Sequence, residues 1–149
     1  MVFLKSLHVA SAVLWLGNFV VTGIWSLRAF ATKESVLRRF AVREILFTDL
    51  IFTFVMGGAV TMSGLGLAGI EGVAAWGTFW TRTALLTAIG SGVLWLAILL
   101  PLELRMRTLA ATGRAEGDLM RAFVWWNIGG WAITVALFAV IYLMVAKPV

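Results

Sequence analysis

Cysteine is absent from this 149-residue chain, and histidine and tyrosine occur once each. Without cysteine the chain can form no disulfide, no thiolate zinc site and no cysteine-ligated iron–sulfur cluster. One histidine excludes bis-histidine haem within a single chain, and any mononuclear site built of several histidines. Charge is also scarce. Asp, Glu, Lys and Arg make up 13% of the chain, against about a quarter in soluble domains. No nucleophile elbow, phosphate-binding loop, HExxH element or dinucleotide fingerprint occurs, so soluble-enzyme chemistry is not expected. The alternation of apolar and polar residues that a membrane barrel requires is missing too. No internal repeat or low-complexity stretch is visible.

What the chain has is apolar surface: 62% of its residues are hydrophobic. Water does not tolerate that much, and lipid does. In lipid every backbone donor and acceptor must be paired internally, so the apolar runs must be helices. The expected fold is an all-α membrane protein, one domain over residues 1–149 with four transmembrane helices. The spans fall at about 2–27, 45–70, 81–100 and 122–146. Each has roughly the 20 residues needed to cross the hydrocarbon core. Short connections between neighbours favour an antiparallel up-down bundle.

The first connection, Arg28 to Glu44, holds Arg28, Lys33, Arg38, Arg39 and Arg43. The turn at Glu71-Gly72 is followed by Trp76, Phe79 and Trp80, as an aromatic belt would be. Pro101 and Glu103 are read as ending the third span. A second basic connection then carries Arg105, Arg107, Arg114 and Arg121. The outer connection has only Arg82. The net charge of +5 would suggest nucleic acid in a soluble protein. Here it reports topology, and no nucleic-acid partner is expected. The positive-inside rule puts both basic connections in the cytoplasm and both termini outside. Ala29-Phe30-Ala31 resembles a signal-peptide cleavage site. The preceding apolar stretch is too long, and its basic flank is on the wrong side, so the first span is expected to be retained.

Helix faces sharpen the picture. His8, Ser11, Trp15, Asn18, Thr22 and Trp25 fall on one stripe of span one. Polar groups at membrane depth face the interior, where they find partners. Small residues recur in span two at Gly57, Thr61, Gly64 and Ala68. Thr83, Thr87 and Ser91 repeat the pattern in span three, and Asn127, Gly130 and Thr134 in span four. Such residues let membrane helices approach closely, and a ligand pocket is the alternative reading.

His8 either hydrogen-bonds across the helices, ligates haem iron or copper, or relays protons. Met56, Met62 and Met144 are the thioethers a copper site would use. Asp49, in an apolar context one turn into span two, must be paired or protonated. An ion pair with Arg43, Arg105 or Arg107 is the structural expectation, and proton relay the functional one. Glu103 is expected to meet a nearby arginine at the interface. Trp125-Trp126 and Trp131 read as an interface belt or as the wall of a chromophore or quinone pocket.

Four pieces in order resemble a known family. They are Leu4-Lys5-Ser6-Leu7-His8 with Leu14-Trp15-Leu16-Gly17, then Asp49-Leu50-Ile51-Phe52-Thr53, then Pro101-Leu102-Glu103-Leu104-Arg105, and last Tyr142-Leu143-Met144-Val145-Ala146-Lys147-Pro148. Together they resemble the uncharacterised family of predicted integral membrane proteins catalogued as DUF twenty-two sixty-nine, over essentially the whole chain. The resemblance implies four helices and a bacterial inner-membrane location, with no established activity. More distantly, the first helix is similar to that of CopD-type copper-resistance proteins and HemJ-type protoporphyrinogen oxidases. In the latter a first-helix histidine, here His8, is associated with haem. They also use a lysine deeper in the chain, and beyond Lys5 at the very start of span one this sequence has none within its spans.

Three functional classes follow. The first is a non-enzymatic accessory or scaffold protein, self-associating or joined to other membrane subunits. The second is a haem-binding or redox protein with His8 as the axial ligand and Trp15, Asn18 and Thr22 near the porphyrin. The third is a small proton-coupled transporter acting as an oligomer through Asp49.

Overall fold

The structure is a computed structural model describing residues 1–149 except Ala75, Arg114, Pro148 and Val149. Arg114 of the second basic connection and Pro148 of the closing motif therefore lie outside the described residues. The described chain is helical, without a strand. Four helices are long and apolar enough to cross a membrane: α1 Val2–Ala31, α2 Ser35–Ile70, α3 Phe79–Thr112 and α4 Glu116–Ala146.

Their lengths correct the sequence reading. The four helices have 30, 36, 34 and 31 residues. At 1.5 Å per residue the shortest spans about 45 Å, well beyond the roughly 30 Å hydrocarbon core. The stretch from Ser35 to Glu44, expected as connection, is helix continuous with α2. The first connection shrinks to residues 32–34. Pro101 likewise does not end the third helix, which runs on to Thr112. A π-helical turn at Trp95–Leu99 precedes the proline, which sits in the first turn of the following α-helical segment Leu100–Thr112. A wide turn relaxes the regular i to i−4 ladder just where proline lacks its donor. A second π-helical turn, Asp49–Val55, interrupts α2.

The helix ends have local causes. Thr78 caps α3 by accepting from the Thr81 N–H at 3.4 Å. Gly113, at φ 65°, ends it in the left-handed conformation that glycine adopts without steric cost. The α1 end is closed from afar. Arg38, 5% exposed, donates to the Phe30 carbonyl from Nε at 3.2 Å and Nη2 at 2.8 Å, and its Nη1 pairs with Glu116. This brings the ends of α1, α2 and α4 together, and it is called the basic end below. At the opposite end Lys5 pairs with Glu71 at 2.8 Å, and Lys147 lies 5.3 Å over the Trp80 ring. Lys5 holds the Glu71 carboxyl below its ordinary range, by hydrogen bond and by charge.

The expected inward stripe of α1 is inward. Ser11, Trp15, Asn18 and Thr22 are buried, while Val9, Val13, Val21 and Ile24 are exposed on the outer face. On the α2 stripe, a Cβ at Gly57 would lie 3.2 Å from the Trp15 indole, and one at Gly64 would lie 2.9 Å from His8. Glycine is what permits α1 and α2 to touch there.

Candidate functional site

The polar atoms of α1 and α2 converge beneath the π-helical turn. Asn18 Nδ2 donates to Asp49 Oδ1 at 2.6 Å and to Thr53 Oγ1 at 3.2 Å. Thr53 Oγ1 donates to the same Asp49 oxygen at 3.2 Å, and Thr22 Oγ1 to Asn18 Oδ1 at 3.1 Å. Asp49 and Thr53 are the first and fifth residues of the wide turn.

The expected ion pair of Asp49 is not formed. Arg43, six residues earlier, points away and pairs instead with Glu44 at 3.2 Å. The neighbour of Asp49 is a second acid, Glu103, near enough for the two carboxyl groups to interact. Glu103 is 0% exposed and, among the described residues, in no salt bridge. That corrects its expected role as an interfacial partner for arginine. Its Oε1 accepts from Trp126 Nε1 at 3.0 Å, while Oε2 has no donor among the described residues. Helix phase explains the correction. Glu103 lies on the same face of α3 as buried Leu99, Met106 and Ala110, whereas Leu104 and Arg105 are exposed.

Two further donors are near. Trp95, 2% exposed, brings its indole close to both acids but meets no acceptor in hydrogen-bond geometry. The Asn127 amide nitrogen is also buried without a partner. Each unmatched buried polar group costs about 1–3 kcal/mol. The expected tryptophan belt divides here: Trp126 is 5% exposed and belongs to this core, while Trp125, at 60%, faces outward.

Of the four residues considered for haem, only Thr22 lines the cavity beside Asp49. His8 Nδ1 is 2.9 Å from the Val60 carbonyl and 3.2 Å from Ser63 Oγ, with its ring against Gly64. Trp15 lies against Gly57, and Asn18 and Thr22 spend their polar atoms on Asp49 and each other. The cavity beside them is about 10 Å³, lined by Thr22, Asp49, Trp126 and Asn127 but not by His8. Small-molecule pockets run to about 300–1,000 Å³. These residues do not fit a haem held within one chain. Among the described residues no three His, Asp or Glu side chains gather as metal ligands.

Four lipid-length apolar helices enclosing a hydrogen-bonded carboxyl core define an integral membrane protein. Residues 2–148 match the family described as predicted integral membrane protein (DUF2269), and the chain belongs to it. No curated protein and no solved structure matches the chain.

Proposed function

We propose that this is a non-enzymatic accessory protein of the bacterial cytoplasmic membrane that holds a proton between Asp49 and Glu103. The carrying observation is the approach of two buried carboxyl groups with, among the described residues, no basic side chain bonded to either. Two ionised carboxylates do not persist side by side away from water, so one proton must be shared. A proton on the pair also supplies a donor where Glu103 Oε2 has none. Acids at membrane depth are costly and are functional candidates by default, proton relays among the roles they serve.

The reading takes the chain as one domain, an antiparallel up-down bundle, and the contacts of α1 with α2 support it. Lys5 meets Glu71, His8 meets Val60, Asn18 meets Thr53 and Phe30 meets Arg38, so α1 and α2 run in opposite senses. The basic connections are assigned to the cytoplasm and both termini to the outside. A reporter fused after Val149, outside the described residues, is expected to read as external. One placed between Arg105 and Arg121 is expected to read as cytoplasmic, and the reverse would end the assignment. Work with a second copy or another subunit is the expected setting. In α3 and α4 only 17% of the apolar stretch is buried, against 33% in α1 and α2.

The proton is tested by infrared spectroscopy of the purified protein in detergent at neutral pH. The wild type should show the C=O stretch of a protonated carboxyl, and Glu103→Gln and Asp49→Asn should each change or remove it. A wild-type spectrum with carboxylate bands alone would refute the shared proton.

A further inference from the structure

A second cavity, of about 120 Å³, opens at the basic end between the starts of α2 and α4 and the end of α3. Its charged lining is lopsided: Lys33, Arg38 and Arg39 against Glu116 alone. Arg38 already has its counter-ion in Glu116. Lys33 and Arg39 are exposed and, among the described residues, enter no ion pair. Two positive charges therefore face this cavity uncompensated.

Three further features point the same way. Ser35 and Glu116 begin the long helices α2 and α4, and neither start has a side-chain cap. Both helix starts present unpaired N–H groups and the positive end of the dipole. Lys33 is held at φ 61°, a left-handed conformation unusual for a residue with a side chain. Apart from Ser35, the uncharged part of the lining is apolar or small, with Leu109, Ala110 and Leu119. Cations above an apolar floor, at the ends of membrane-length helices, match an amphiphile with an anionic head.

The geometry points to a binding site for a phosphate group in this cavity, and to the headgroup of an anionic phospholipid as its source. Basic pockets between transmembrane helices recognise lipid phosphates by this combination of charge and position. The inference is independent of the Asp49–Glu103 proton, which lies on other residues.

The test is thermal unfolding of the full-length protein in uncharged detergent. Phosphatidylglycerol, phosphatidylcholine and inorganic phosphate are each titrated at constant ionic strength. Phosphatidylglycerol should raise the melting temperature saturably, and phosphatidylcholine should not. In the Lys33→Gly, Arg39→Gln double variant the half-saturating concentration should rise roughly tenfold or more. Lys33→Gly alone keeps the test readable, because glycine suits φ 61° and the variant should melt no lower than wild type without lipid. If inorganic phosphate alone reproduces the shift with the same sensitivity to the variants, the site stands and its ligand is free phosphate. No shift from either anion, or a lipid shift unchanged in the double variant, overturns the site.

Discussion

In the half of the bundle nearer the basic end, α1 meets α4 through Phe30 stacked on Phe123, with ring centroids 3.7 Å apart, and α1 meets α2 through Asn18, Asp49 and Thr53. Toward the other end, α1 meets α2 where glycines leave room for the Trp15 and His8 rings. The first region is held by large rings and buried hydrogen bonds, the second by close approach over glycines together with the His8 hydrogen bonds that this approach permits. Lipid offers no hydrophobic drive between helices, so both regions must rely on contact itself. They fail differently. Hydrogen-bonded cores are damaged by removing an atom, and close glycine contacts by adding one.

The largest effect expected is Phe123→Ala, which should destabilise by about 3–5 kcal/mol in equilibrium unfolding in mixed micelles. A loss under about 1 kcal/mol would mean that the ring stack is not a principal contact of the basic half. Trp126→Phe keeps most of the ring and removes the N–H that donates to Glu103 Oε1. It should cost about 1–3 kcal/mol. Gly64→Ala tests the other half. Its Cβ must push the His8 ring off the Val60 carbonyl, at about 1 kcal/mol, the low end for overpacking because the ring can move. Pairing it with His8→Ala should remove most of that cost. Additive effects would show that the two residues do not press on each other.

The smallest effect is electrostatic and confined to the Glu71 end. Lys5, with Lys147 adding less, holds the Glu71 carboxyl below its ordinary 4.5. A depressed acid contributes stability that is present above its unfolded value and lost as pH falls through the lower folded one. Acidifying below about pH 4.5 should therefore lower the melting temperature slightly more in wild type than in Glu71→Gln. Equal slopes would remove this pair from the account.

Much of the first helix was legible in advance. The stripe from His8 to Trp25 follows from helical periodicity plus the cost of facing polar groups to lipid. The small residues at Gly57 and Gly64 also lie where the α1 rings approach. The helix extents were not legible, because charged segments such as Ser35–Glu44 read as loops on hydropathy although they are helical once anchored by Arg38. The pairing of Asp49 with Glu103 joins positions far apart in sequence, and no periodicity within one span reveals it. Glu103 was misplaced because arginines stand beside it in the chain, while its side chain follows the opposite face of the helix. Trp125 and Trp126 are a similar case, since composition does not say which of two adjacent tryptophans turns inward.

The wide turn at Asp49–Val55 has one more consequence. A residue added to a helix advances its face by about 100°. The turn therefore works as a phase shifter between two stretches of α2, one set to aim Asp49 at Asn18 and one set to aim Gly57 and Gly64 at Trp15 and His8. Deleting one residue inside it would leave a more regular helix in which only one of those two alignments could survive.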